Sequence, residues 1–293
     1  MQLLSEVIRK NRVMLSDGAW GTSLQSKGLG AGMCPEMWNI DHPDRVRSIA
    51  EEFIQAGGQL VKTNSFGGNR YKLEGFGLQD RVSELNEQAA QCSRQAAGSG
   101  VYVLGSIGPT GRMLITGEVT EDDLYNAFSE QAAALERGGA DVILVETLSD
   151  LDEARIAVSA AQDSTDCEIA LTMTFEQTVD NEYKTMMGIS PAQMVTEMST
   201  RGVHFLGSNC GNGIQQMIPI VREIRKLETR LPVIIHANAG MPELKHGKTV
   251  FPEGPDEMAA FVPELVKAGA SIVGGCCGTT PDHILKMREK LRV

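Results

Sequence analysis

"GGADVILVETLSD", residues 138–150, ends one helix in glycine, runs through a short apolar segment and breaks that run with a carboxylate, Glu146, just before the next helix begins. An apolar run without polar alternation is the pattern of a parallel strand buried on both faces. Glycine ahead of it suits a helix C-terminus, and Ser149 with Asp152 beyond it has the spacing of a helix cap.

The same unit recurs along the chain. Runs rich in Val, Ile and Leu fall at 13–17, 60–64, 101–106, 141–146, 168–174, 203–208, 232–236 and 271–275. Segments of helical period lie at 43–56, 79–97, 120–137, 150–162, 190–201, 213–228, 255–268 and 280–291. Thr120 with Asp123, and Thr280 followed by Pro281, mark further helix starts, while "QAGGQL" and "KAGASI" repeat the glycine stop. Eight such alternations in 293 residues predict an α/β fold, a closed (β/α)8 TIM barrel, with a doubly wound open sheet as the alternative. No linker or low-complexity stretch interrupts them, so residues 1–293 are expected to form a single domain.

Composition narrows the partners. The chain is 42% hydrophobic and 22% charged, as in ordinary globular proteins, and its formal net charge is −11. Its cations are scattered rather than gathered into a stripe, which argues against nucleic acid or an anionic membrane as the main partner. A small molecule or another protein remains. Glu6, Arg9, Lys10 and Arg12 interrupt the N-terminal segment where a secretory signal would be apolar, and no run approaches the roughly 18–20 apolar residues of a membrane span. A cytoplasmic location is the expectation. Six cysteines in such a chain point to metal or thiol chemistry rather than a disulfide framework.

The polar exceptions cluster at strand ends: Asp17, Asn64, Glu146, Asn209 with Cys210, Asn238, and Cys276 with Cys277. In a barrel these positions open onto the C-terminal mouth, where such folds build active sites. Cys210 in "SNCGNG" and Cys276–Cys277 in "GGCCGTT" then supply three thiolates. That set suits tetrahedral Zn²⁺ with one corner left for substrate. Adjacent cysteines in a regular strand would point to opposite faces, so Gly274, Gly275 and Gly278 are expected to let the chain bend there. Cys92 and Cys167 read as core residues, and Cys34 lies in a loop. A zinc held by three cysteinates carries one net negative charge and favours alkylation of a bound thiolate over hydrolysis.

These residues resemble the homocysteine S-methyltransferase family. The likeness runs through "DGAWGT" (17–22), "PEMWN" (35–39), "TNSFGGN" (63–69), "GSIGPTG" (105–111), "ETLSD" (146–150), "SNCGNG" (208–213), "NAG" (238–240) and "GGCCGTTPDH" (274–283). In order and spacing it looks closest to the homocysteine-binding domain of cobalamin-dependent methionine synthase. The resemblance implies zinc on Cys210, Cys276 and Cys277, with homocysteine sulfur as the incoming ligand. It further implies that Asp17, Gly18 and Ala19 hold the amino-acid end through backbone groups, that Glu146 binds the ammonium, and that Asn238 sits by the metal as a resting ligand. Two departures from the family pattern stand out: His236–Ala237 where an acidic residue and proline are usual, and "NCGNG" (209–213) where Ser-Leu-Gly more usually follows the zinc cysteine.

The implied reaction is methylation of homocysteine to methionine, the donor being a methyl-corrinoid on a separate protein. Three alternatives stand beside it: an S-methylmethionine-dependent homocysteine methyltransferase, a corrinoid-linked catabolic demethylase with another substrate, and a structural zinc-binding scaffold. Trp20, Phe66 and Tyr71 are candidates for lining a cationic-methyl pocket, and Met186–Met187 are candidates for exposed apolar contacts.

Overall fold

The computed structural model describes residues 2–10, 13–245 and 248–291. Eight parallel strands form its centre: β1 (Met14–Leu15), β2 (Leu60–Lys62), β3 (Tyr102–Ile107), β4 (Val142–Leu148), β5 (Glu168–Met173), β6 (Phe205–Gly213), β7 (Val233–Asn238) and β8 (Ala270–Gly275). They are ordered β1-β8-β7-β6-β5-β4-β3-β2, and a parallel bridge between Ser16 and Leu60 closes the ring. Gln59 N–H donates to the Leu15 carbonyl at 2.7 Å and Asp17 N–H to that of Leu60 at 3.0 Å across the same seam. This is a TIM barrel, the first of the two expected architectures.

Each apolar run of the sequence became a strand because both of its faces are covered. One face fills the barrel with Leu60, Leu104, Leu144, Phe205, Ile234 and Ile272, and the other meets the helices in a larger core. The helix Leu4–Arg9, which no sequence signal had indicated, adds Leu4 and Ile8 to the inner cluster. Buried Glu168 holds it by accepting the N–H groups of Leu4 and Ser5 at 2.5 and 3.1 Å.

The outer helices are α1 (Pro43–Gln55), α2 (Val82–Ala97), α3 (Glu121–Arg137), α4 (Leu151–Ser164), α5 (Pro191–Met198), α6 (Ile214–Leu227), α7 (Pro255–Ala260), α8 (Val262–Ala268) and α9 (Pro281–Leu291). Thr120 and Asp123 form a reciprocal capping box on α3. For α4 the cap is Asp150, not Ser149: its carboxylate accepts from Asp152 and Glu153 N–H at 2.8 and 3.0 Å, a reach the sequence spacing alone did not single out. The segment 255–268 divides into α7 and α8 at Phe261, next to Pro263, which has no N–H to continue the ladder. Two small hairpins, Glu176–Gln177 with Tyr183–Lys184 and Glu243–Lys245 with Lys248–Val250, rise from the loops after β5 and β7. Among the described residues no helix is long and apolar enough to cross a membrane.

Candidate active site

A cavity of about 600 Å³ opens at the C-terminal mouth, bordered by Gly18, Ala19, Trp20, Lys62, Glu146 and the three cysteines, among others. The sulfur atoms of Cys210, Cys276 and Cys277 all lie within 4.8 Å of one another, and those of Cys210 and Cys277 are 3.9 Å apart. A tetrahedron with metal–sulfur bonds of about 2.3 Å has sulfur–sulfur edges of about 3.8 Å, so the trio has the dimensions of a three-thiolate metal site. Among the described residues it is the sole group of three or more such donors gathered this tightly.

Local backbone geometry brings the sulfurs together. β6 loses register with β7 between Asn209 and Gly213, and Cys210 there takes a left-handed φ of 59°. Holding a non-glycine residue in that region costs about 1–3 kcal/mol, which the surrounding contacts must outweigh. β8 ends at Gly275, and Cys276 and Cys277 enter a turn closed by Thr279 N–H donating to the Cys276 carbonyl at 3.1 Å. Cys276 N–H donates to Ala237 O at 2.7 Å, and Ala239 N–H to Cys277 O at 2.9 Å. The end of β7 thus stitches the two thiol segments together from between them.

Of the flanking glycines, only Gly278 has the left-handed φ, 81°, that demands glycine for conformational reasons. Gly274 and Gly275 supply space instead. A Cβ on Gly274 would lie 2.7 Å from Ser16 Cβ and 2.9 Å from His236 Cδ2, and one on Gly275 would meet the Thr279 side chain.

Without metal, the trio shares protons. Hydrogen bonds from Cys276 and Cys277 draw Cys210 far below the usual thiol range, and the same sharing drives Cys276 and Cys277 upward. The Asn238 side chain also hydrogen-bonds Cys210 and lowers it, while Asn238 Oδ1 has no donor among the described residues. Asn238 is therefore beside the sulfurs, although it does not border the cavity.

Glu146 ends β4's regular pairing, and the next residue, Thr147, has a φ of 66°. Burial raises the Glu146 carboxyl, opposed by the charge of Lys62 and by the Ser106 hydroxyl, which donates at 2.5 Å. Asn209 braces this bend: its Oδ1 accepts Thr147 N–H at 2.8 Å and the Thr172 hydroxyl at 2.7 Å, and its Nδ2 donates to the Thr147 hydroxyl at 2.7 Å. One side chain thereby couples the strand end carrying Glu146 to the one carrying Cys210.

Asp17 is placed differently from the backbone ligand implied by the resemblance. Its N–H bonds Leu60 and its carbonyl accepts Gly275 N–H at 2.8 Å, so both groups serve barrel closure. Its buried carboxylate accepts from Trp20 Nε1, from Lys62 N–H and from Lys62 Nζ, each at 2.7 Å. Gly18 and Ala19 do border the cavity, and their N–H groups have no acceptor among the described residues.

Lys62 is the residue that sequence reasoning missed. Burial works against its charge, but Asp17 and Glu146 outweigh burial and raise its pKa. A cation inside the run "LVKTN" was the available signal, since lysine is rarely buried without a partner.

His236, fully buried beside Gly274, is kept neutral by burial and by the charge of Lys62, and neither ring nitrogen has a partner among the described residues. Trp20 and Phe66 border the cavity, whereas Tyr71 lies outside its wall beneath Arg112, 5.5 Å from the ring centroid. Met186 is 83% exposed in the loop after β5. The other cysteines stand apart: burial pushes Cys34 and Cys92 up to about 11 and Cys167 up to about 12.

Known proteins resemble this chain in fold and in sequence. The metallated form of the homocysteine methyltransferase MmuM from Escherichia coli superposes with a TM-score of 0.79 at 22% identity, covering 97% of this chain and 98% of that one, a likeness of fold. The methionine synthase of Mycobacterium leprae is 33% identical over 287 residues, and that of Mycobacterium tuberculosis 34% over 291. These matches take in 93% and 94% of this chain but 24% of each relative, so the chain spans about a quarter of their length. The sequence model for homocysteine S-methyltransferase matches residues 14–291, which is nearly all of the barrel with its three gathered sulfurs. The chain belongs to the homocysteine S-methyltransferase family.

Proposed function

We propose that this chain, read as one homocysteine-binding barrel domain over residues 1–293, methylates homocysteine to methionine at a zinc site on Cys210, Cys276 and Cys277. The observation that carries the reading is the trio of sulfurs, spaced for one ion on the wall of a cavity of substrate size. Bound zinc would supply Lewis acidity, lowering the pKa of an incoming thiol so that it is a nucleophile at neutral pH.

The chain's own residues do the rest. The free N–H groups of Gly18 and Ala19 receive the substrate carboxylate, and Glu146 receives its ammonium. Asn238 steadies Cys210 through its side-chain hydrogen bond and serves as the resting neighbour of the metal. Trp20 and Phe66 keep water from the sulfur. The thiol proton leaves through the open mouth. The sulfur lone pair then takes the methyl group in line, and the donor's leaving atom keeps the bond pair.

For the donor, the reading is a methyl-corrinoid carried by a separate protein. Eleven of the fourteen exposed large apolar side chains among the described residues lie in loops that follow barrel strands, and Ile115, Val179, Met186 and Leu244 are each more than three-quarters exposed. An apolar rim around the mouth supports a protein partner there.

The test supplies zinc-loaded protein with homocysteine and, in turn, a methyl-corrinoid protein, free methylcobalamin, S-methylmethionine and betaine, and measures methionine. Methionine from the corrinoid protein at a rate above free methylcobalamin is expected. Turnover with S-methylmethionine alone would replace the donor assignment, and no turnover with any donor would remove the function.

A further inference from the structure

Two ammonium groups border the cavity: Lys72, exposed at its edge, and Lys62, buried in its floor. Substrate binding as proposed above leaves Lys62 without a task, because the amino-acid carboxylate meets Gly18 and Ala19 and the ammonium meets Glu146. What lacks a counter-charge is the sulfur centre. Three cysteinates on a divalent ion carry one net negative charge, and a substrate thiolate makes it two. Gathering that charge in a buried site is costly unless a cation stands close.

Lys62 is held in a fixed direction. Its Nζ donates to Asp17 Oδ1 at 2.7 Å and reaches the carbonyl of Gly275, the residue before Cys276, at 3.5 Å. The other Asp17 oxygen is taken by Trp20 and by the Lys62 backbone N–H. The ion pair is therefore an oriented dipole with its positive end toward the thiol turn, and Cys276 is among the charges that hold Lys62 protonated. Buried His236, the nearby imidazole, is held neutral by burial and by the charge of Lys62, and supplies no positive charge.

We propose that Lys62 is a positioning residue whose ammonium offsets the negative charge of the three-cysteine centre and so sets how tightly any thiol, whatever its tail, is taken up as thiolate. The proposal rests on the metal reading above, and its test separates the two.

Native protein, Lys62→Met, Lys62→Gln and Lys62→Arg are loaded with Co²⁺ as the probe, and the cobalt–thiolate charge-transfer absorption is titrated with homocysteine and with uncharged 2-mercaptoethanol at one pH. An opposite charge a few ångströms away shifts an ionisation by about one to three pH units, so either neutral variant should bind both thiols about tenfold more weakly or worse. Lys62→Arg should recover most of the affinity. Lys62→Gln, which can still hydrogen-bond Asp17, serves should the methionine variant fail to fold. Weakening confined to homocysteine would assign Lys62 to the amino-acid end and overturn the proposal, as would unchanged affinities or failure of arginine to recover them. A native protein that takes up no cobalt, or whose spectrum no thiol changes, overturns the metal reading instead.

Discussion

Cys210 combines a left-handed backbone, a half-buried side chain and a thiol that accepts from two others, while Cys34, Cys92 and Cys167 are held as neutral thiols by burial. Reactivity follows the thiolate. Metal-free protein treated briefly with iodoacetamide at pH 7 should be carboxamidomethylated first at Cys210, with Cys34, Cys92 and Cys167 unmodified in peptide mass spectra, and zinc should protect Cys210. Modification of Cys34 or Cys92 ahead of Cys210 would contradict the electrostatics described for the trio. The thiols were legible in the sequence because their residue type and glycine setting announce metal chemistry. Lys62 was not, because its meaning depends on Asp17 and Gly275, distant in sequence and adjacent only across the β1–β2 and β8 seam.

At the scale of elements, two strands lose their regular pairing where the chemistry is placed: β4 between Val145 and Leu148, and β6 between Asn209 and Gly213. Asn209 joins these bends, so Asn209→Ala leaves the Thr147 N–H and the Thr172 hydroxyl without their acceptor. Lost partners of buried polar groups cost about 1–3 kcal/mol each. The variant should melt several degrees lower and retain less than a full equivalent of zinc by elemental analysis; full metal content with native stability would show that the bends hold themselves. The apolar runs named all eight strands from period and composition, but they stopped β6 at residue 208, short of Gly213. A bend that exposes a cysteine carries no apolar signal, and the pairing that extends it comes from β7.

For the molecule as a whole, the sulfurs come from two segments on either side of β7, so metal binding should couple to the stability of the closed barrel. A ligand that binds only the native state at one thousand times its Kd adds about 4 kcal/mol. Removing zinc with a chelator should therefore lower the melting temperature by several degrees, and restoring it should reverse the change; identical melting curves would mean that the trio takes no ion. The alternation of apolar runs with helical segments determined the number of strands and their parallel sense, because burial on both faces is a local property of each run, whereas closure into a ring rather than an open sheet shows only in the pairing of Ser16 with Leu60. The type of chemistry at the strand ends was equally local. Which of those ends meet was not: the engagement of Asp17 in barrel closure, the brace of Asn209, the space reserved by Gly274 and the burial of Lys62 beneath the cavity arise only when the ring closes. They are contacts between strands far apart in the chain, and no pattern along one strand specifies its neighbour's side chains.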